Sequence, residues 1–334
     1  MPVIEVSHLT KRYRQHVAVA DVSFSVEEGE IFGILGPNGA GKTTTIECVG
    51  GLREADGGDI RVLGLHPRRN RDRIREVLGM QLQAGELPDR LRVAEAVELF
   101  ASFYRRPRDP DELIDRFGLG PKRDTAYREL SGGQRQRLAI VLALVGNPRV
   151  AILDELTTGL DPQARRDTWS AIEQIRDSGV TVLLVTHVME EAERLCDRVA
   201  VIDAGRVVAL DTPARLVAGL PDGQRLRFRP SAPFPDALLT DLPQVSALVH
   251  RGDVIEVRGG GDLLTAVTTA LAGHGVIPEQ LRLEQASLDD VFVALTGRRS
   301  PSVPADEPRA RPTGGQKTVP TNAPRTMPTH EPRK

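Results

Sequence analysis

Two cysteines, Cys48 and Cys196, are too few for a disulfide framework and too far apart for a metal knuckle. Apolar runs are short. The longest, Leu138–Val145 and Val180–Thr186, fall far below the ~18–20 residues of a membrane-spanning helix. Aromatics number 12 in 334 residues, so the core must rest on Leu, Val, Ile and Ala. Lysine is scarcer still, five against 39 arginines, which makes each lysine a rare event. Charge of one sign is also lacking. A formal net charge of −2 excludes a strongly basic nucleic-acid binder, whose affinity comes from neutralising phosphates. Met1–Leu9 alternates like a strand and so does not read as a signal peptide. The expectation is a cytosolic protein without a transmembrane helix or structural zinc.

What is present is mostly an alternation of strand-like and helix-like stretches, the mark of an α/β fold. Strands are expected at Val3–Val6, Val22–Val26, Ile31–Leu35, Val150–Leu153, Val180–Val185, Arg198–Ile202 and Val207–Leu210. Helices are expected at Lys42–Val49, Leu91–Tyr104, from Ser131 to about Val145, at Val188–Leu195 and after Thr212-Pro213. From about Gly219 the texture changes to a β-β-β-α-β-α segment closing on helix Ser287–Leu295, with Ser287 and Asp290 as its capping pattern. Residues 299–334 hold eight prolines and three large apolar residues, too little apolar surface to offset the entropy of ordering, so a disordered tail is expected. The tail is net +4, leaving −6 on the remaining 298 residues.

Gly36-Pro37-Asn38-Gly39-Ala40-Gly41-Lys42-Thr43 follows a short buried strand and opens a helix. Its glycines let successive backbone N–H groups face one anion, and the helix N-terminus adds its partial positive charge. In this pattern Lys42 reaches the β- and γ-phosphates and the Thr43 hydroxyl binds Mg²⁺. Val150–Leu153 ends in Asp154 and Glu155. Alone, that pair would also suit a helix cap. Behind a phosphate loop, Asp154 suits Mg²⁺ and Glu155 suits an attacking water. Ser131-Gly132-Gly133-Gln134, after Leu130, could be a linker or cap, or a second anion site at a helix start.

With a phosphate loop upstream and strand acids about twenty residues on, the Leu130–Gln134 segment resembles the signature of the ATP-binding cassette (ABC) ATPases. That resemblance implies a P-loop NTPase fold, an α/β RecA-like core plus a helical subdomain at about 84–145, within a cassette at 1–219. A small α+β accessory domain at 220–298 and the tail at 299–334 would complete the chain. The resemblance assigns ATP and Mg²⁺ as ligands, with Thr44 also in the phosphate loop. It puts Tyr13 on the adenine ring and makes Gln83 the glutamine that senses Mg²⁺ and the membrane partner, with Gln81 its nearby competitor. Asp161, in Thr158-Gly159-Leu160-Asp161, would speak across a dimer, and His187 would contact the γ-phosphate. Lys42, Gln83, Glu155 and His187 would form the catalytic set. One departure is Leu156, where the family usually has a proline that stiffens the loop. Hydrolysis is expected to survive it.

In the family, two cassettes pair head to tail, so one cassette per chain implies a homodimer or a pair with a sister chain, the two-fold homodimer being the commoner solution. With no membrane span present, the permease would be a separate chain holding this one at the cytoplasmic face of the membrane. The ending Leu283–Arg298 resembles that of ABC-2-type exporter subunits, including daunorubicin-resistance ATP-binding proteins. The implied activity is ATP hydrolysis driving export of a drug, antibiotic or other hydrophobic compound, with no nucleic-acid partner. The alternatives are a soluble non-transport cassette and a weakly hydrolysing regulatory one.

Overall fold

The computed structural model describes residues 2–82, 87–220 and 223–297. The expected tail at 299–334 lies outside the described residues.

The amino-terminal half runs β1 (Pro2–Tyr13), β2 (His16–Glu27), β3 (Ile31–Leu35), α1 (Lys42–Val49), β4 (Gly57–Val62), α2 (Arg71–Val77), β5 (Leu78–Gln81), α3 (Val93–Ala101), α4 (Pro110–Arg116) and α5 (Gly132–Leu144). It continues with β6 (Val150–Asp154), α6 (Pro162–Asp177), β7 (Thr181–Thr186), α7 (Met189–Leu195), β8 (Arg198–Asp203), β9 (Arg206–Asp211) and α8 (Pro213–Ala218). Nine strands form one sheet in the order β4-β1-β2-β9-β8-β3-β7-β6-β5. Strands β3, β5, β6, β7 and β8 are parallel, which requires helical crossovers and burial on both faces. Every residue of β3, β6 and β7 is accordingly buried. One face packs on α1 and the β1–β2 ribbon, where Phe24 stacks on Phe32 at 5.4 Å. The other packs on α3 to α7.

The short apolar runs fall where expected, but several elements go beyond the expectation. Strands β1 and β2 are each 12 residues long because they pair with one another through their polar halves. Strand β4 and helices α2, α4 and α6 are additional to the expected elements, α6 being the longest helix among the described residues. Its apolar stripe is Trp169, Ile172 and Ile175, and its start is marked by Asp161, whose side chain accepts from the Gln163 and Ala164 N–H groups, with proline at the first turn.

Beyond α8 a second sheet is built from β10 (Gln224–Pro230), β11 (Val245–Arg251), β12 (Val254–Gly259) and β13 (Pro278–Gln285), in the order β11-β12-β10-β13. Helices α9 (Ala237–Thr240) and α10 (Leu263–Gly273) bury Leu239, Leu263, Val267 and Leu271 against Leu226, Phe228, Ile255 and Val257. The last helix, α11 (Leu288–Thr296), does not join that core. Leu288, Val291 and Phe292 sink into the cassette core beside Leu195, Leu216 and Leu220. The expected Ser287–Asp290 capping box starts it, and the Leu288 N–H donates to Glu193 of α7. The apolar stripe of α11 therefore extends the cassette. Phe292→Ala should cost about 3 kcal/mol, read as a fall in Tm of the nucleotide-free protein, because it opens a cavity between α11 and the cassette.

Candidate nucleotide site

The phosphate loop lies between β3 and α1. An added Cβ on Gly36 would lie 2.2 Å from the Ile202 carbonyl oxygen. Gly41 has φ +102°, and a Cβ there would lie 2.3 Å from the Ala18 carbonyl oxygen. Both positions therefore require glycine. The β8–β9 turn braces the loop, with the Gly205 N–H donating to the Ala40 carbonyl at 3.0 Å. A cleft of about 430 Å³ opens over it, lined by Tyr13, His16, Asn38, Gly39, Gly41, Lys42, Thr43, Thr44 and Glu155. That volume is in the range of nucleotide-sized sites.

Lys42 is only 5% exposed. Its Nζ donates to the Gly36 carbonyl at 2.8 Å and the Pro37 carbonyl at 3.1 Å, and stands 3.9 Å from Glu155 Oε1. Burial pulls its pKa down, opposed by the charges of Glu155 and Asp154. Asp154, at the end of β6, is 1% exposed, and both its carboxylate oxygens are buried without a hydrogen-bond partner. Burial, reinforced by neighbouring Glu155, pushes its pKa up to about 6. A buried, unsatisfied carboxylate beside a phosphate loop fits a divalent cation, whose charge would supply what the protein does not. Among the described residues no three metal-binding side chains gather, so such a cation would need phosphate and water to complete its shell.

Glu155 follows Asp154 in the left-handed region at φ +51°. That conformation costs a side-chain-bearing residue about 1–2 kcal/mol and is typical of functional positions. A following proline would disfavour it, and the following residue is Leu156, fully buried in the core. The Glu155 N–H is tied to the Val185 carbonyl at 2.9 Å, and its Oε1 lies 3.3 Å from His187 Nδ1. Strands β3, β6 and β7 thus bring Lys42, Asp154, Glu155 and His187 together.

Other expected site residues lie elsewhere. Ser131 and Gln134 form a reciprocal cap on α5: Ser131 Oγ accepts from the Gln134 N–H at 3.3 Å, and Gln134 Oε1 from the Ser131 N–H at 3.0 Å. Ser131–Gln134 do not line the cleft, and Gly132 and Gly133 pack toward Leu160 and Ala164. Asp161 is likewise occupied as the α6 cap. Gln83 lies outside the described residues. Its competitor Gln81 accepts from the Asp154 N–H at 3.2 Å.

Some residues near the site carry no mark of it in the sequence. The Arg53 guanidinium stands 5.2 Å and Lys11 Nζ 5.7 Å from the Tyr13 ring centre, a cation–π pair that orients the ring. Glu191 is fully buried behind the catalytic strands and accepts from Trp169 Nε1 at 3.0 Å, with Thr157 and Thr186 close by. Burial raises its pKa despite those partners. Within Met189-Glu190-Glu191 it reads as one more surface acid, so nothing in the sequence marks it.

A buried lysine under a glycine loop, strand-end acids on a parallel sheet and a capped anion loop held apart define a P-loop ATPase of the cassette type. The ABC transporter family profile matches residues 19–158. The chain is 37% identical over 314 residues to the daunorubicin/doxorubicin resistance ATP-binding protein DrrA of Streptomyces peucetius, spanning 91% of this chain and 94% of that protein. It is 35% identical over 304 residues to the Nod factor export ATP-binding protein I of Ralstonia nicotianae, spanning 89% and 94%. Among solved structures it is similar to CbiO1 of Clostridium perfringens, part of an ABC transporter complex, with 28% identity and TM-score 0.60 over 65% of this chain and 91% of that one. It is also similar to a dimeric ATP-binding cassette in a post-hydrolysis state bound to ADP and Pi, with 26% identity and TM-score 0.57 over 63% and 98%. This chain belongs to the ABC transporter family, as an ATP-binding, ATP-hydrolysing cassette.

Proposed function

We propose that this cassette is the energy-supplying subunit of an exporter whose membrane permease is a separate chain, with a drug, antibiotic or other hydrophobic compound as cargo. The observation that carries the catalytic part is the Lys42–Asp154–Glu155–His187 cluster beneath the phosphate loop. Lys42 would exchange its two loop carbonyls for β- and γ-phosphate oxygens. Tyr13 would stack on adenine. Thr43, Asp154 and Gln83 would hold Mg²⁺, which when bound offsets phosphate charge. Glu155 would accept the proton of the attacking water, and His187 would hold Glu155 and the γ-phosphate in register. Ser131–Gln134 and Asp161, away from their own cleft, suit a site completed by a second copy's loop in a head-to-tail homodimer at the cytoplasmic face of the membrane. We assign residues 1–219 to the cassette and 220–298 to the accessory domain, whose closing helix α11 packs back into the cassette core.

Support for a permease comes from the surface near α2 and α3. Leu52, 57% exposed, lines a groove with Gly51, Pro67, Arg71, Met80 and Tyr104, and Leu99 on α3 and Phe103 just after it are 47% and 67% exposed. Such apolar exposure suits a docked helix. Affinity purification from membranes tests it: an integral membrane protein should co-elute, be lost on Phe103→Asp, and confer cargo-stimulated ATPase activity. Elution alone, with turnover unchanged by membranes, would refute the reading.

The acidity of Asp154 gives a pH signature. Its folded pKa stands above the ordinary carboxylate value, so the nucleotide-free protein loses stability, by at most about 3 kcal/mol, as pH rises from about 4 to about 6. Mg²⁺ competes with the proton there. The Mg²⁺ requirement of ATP binding, measured by fluorescence titration, should rise several-fold from about pH 7 to about pH 5, and Asp154→Asn should flatten that dependence.

A further inference from the structure

The edge strand β13 is the most exposed strand of the chain's described part. Six of its eight residues are exposed, among them Leu281 at 37% and Leu283 at 41%. The opposite edge, β11, is largely half-buried, packs against α9 and breaks register between Val245 and Ala247. Exposed edges are normally blunted, because their free N–H and C=O groups template further pairing. On β13 the blunting devices are Pro278, a bulge at Gln280, at φ +53°, where pairing to β10 slips, and the charges of Glu279, Arg282 and Glu284, which are of both signs. From Leu281 to Gln285 the strand is regular.

The direction of its free groups follows from the ladder. The Ala286 N–H donates to the Gly223 carbonyl at 2.9 Å, and in the same register Arg225 faces Glu284 and Arg227 faces Arg282. Antiparallel pairs alternate between bonded and non-bonded, so Glu284 and Arg282 spend their backbone groups on β10, while Leu283 and Gln285 turn theirs outward. Leu281 does the same by alternation.

We propose that β13 pairs with β13 of a second copy of this chain, antiparallel about a two-fold axis at Leu283, joining two four-stranded sheets into one of eight. In that register Leu283 meets Leu283, Leu281 meets Gln285, and the outward backbone groups of all three are matched. The non-bonded positions between them set Arg282 opposite the second copy's Glu284, twice. Charge complementarity favours this occupant. Within the chain Arg282 sits opposite a like charge, Arg227, which itself pairs with Glu256 and Glu284, while among the described residues no acid lies within ion-pair distance of Arg282. Cross-strand like charges destabilise and opposite charges stabilise, so the pairing supplies the acid that Arg282 lacks. The contact is isologous. It does not depend on nucleotide, and so differs from the head-to-tail pairing proposed above.

Sedimentation velocity on the full chain, in chelator and without nucleotide, tests it. The unmodified protein should be a dimer at tens of micromolar. Gln285→Pro removes an outward N–H without touching the β10 ladder and should raise the dimer Kd more than tenfold. Arg282→Glu, at an exposed side chain without an acidic partner among the described residues, should do the same by opposing two acids. Combining Arg282→Glu with Glu284→Arg should restore the dimer. Far-UV circular dichroism and Tm report folding; if Gln285→Pro fails to fold, Arg282→Glu and its rescue decide. A nucleotide-free monomer, or a dimer indifferent to Arg282→Glu, overturns the proposal. An ATP-dependent dimer of the Glu155→Gln variant that persists in the Arg282→Glu background would leave the cassette pairing standing while this one fails.

Discussion

Glutamine in place of Glu155 should leave ATP binding intact, cut turnover at least a hundredfold and trap an ATP-loaded dimer. General-base catalysis contributes about 10²–10⁴-fold, and no other carboxylate in the cluster can substitute. Asp154 is buried at the strand end and does not line the cleft, whereas Glu155 does. The amide keeps the shape of the side chain, and the backbone is held independently by the Val185 carbonyl, so the φ +51° conformation survives the change. What would be lost is the proposed proton acceptor beside His187. Size-exclusion chromatography with light scattering in ATP and Mg²⁺, paired with a phosphate-release assay, checks both halves. A monomer under saturating ATP and Mg²⁺ would sink the head-to-tail arrangement, and undiminished phosphate release would remove Glu155 from its role.

Lys42→Ala should weaken nucleotide binding more than a hundredfold and abolish measurable turnover. The lysine sits at 5% exposure, its ammonium held by two carbonyls of the loop that would cradle the phosphates. A point charge already stripped of water interacts strongly with phosphate, since little further desolvation opposes the contact. Its removal also leaves Glu155 and Asp154 facing each other without that cation, so Asp154 should become harder to ionise and the Mg²⁺ titration should move to higher pH. Lys42→Arg should rescue poorly, because the larger guanidinium does not fit between the Gly36 and Pro37 carbonyls. Equilibrium binding of a fluorescent ATP analogue measures the loss. Affinity within tenfold of the unmodified protein would contradict the assignment.

The site was legible in the sequence wherever chemistry and burial coincide. Strands β3, β6 and β7 are short apolar runs that belong in the middle of a parallel sheet; β3 runs into the phosphate loop, β6 ends in Asp154 and β7 is followed at once by His187. Glycine and lysine spacing located the phosphate loop, and the serine cap located α5. Less legible were elements whose signal is spread over polar residues. Helix α6 hides its stripe of Trp169, Ile172 and Ile175 among charges, and β1 and β2 are extended by cross-strand pairing that no local pattern encodes. Helix α11 was legible as a helix but not in its allegiance, since an apolar stripe does not say which core receives it. Support from behind the site was not legible at all. Glu191 and Arg53 matter through contacts 22 and 40 residues away in the chain, with Trp169 and Tyr13.

The hydrogen bond from Ala286 to Gly223 has a consequence for how this chain is put together. It joins the residue that enters the four-stranded sheet to the residue that leaves it, while α8 before and α11 after pack against each other on the cassette. The sheet is therefore an excursion inserted into a cassette that is itself continuous through α11. Its stem closes on itself, so the excursion could be cut at Gly223 and Ala286 and the ends joined directly. The hydrophobic residues of α11 would remain to seal the core.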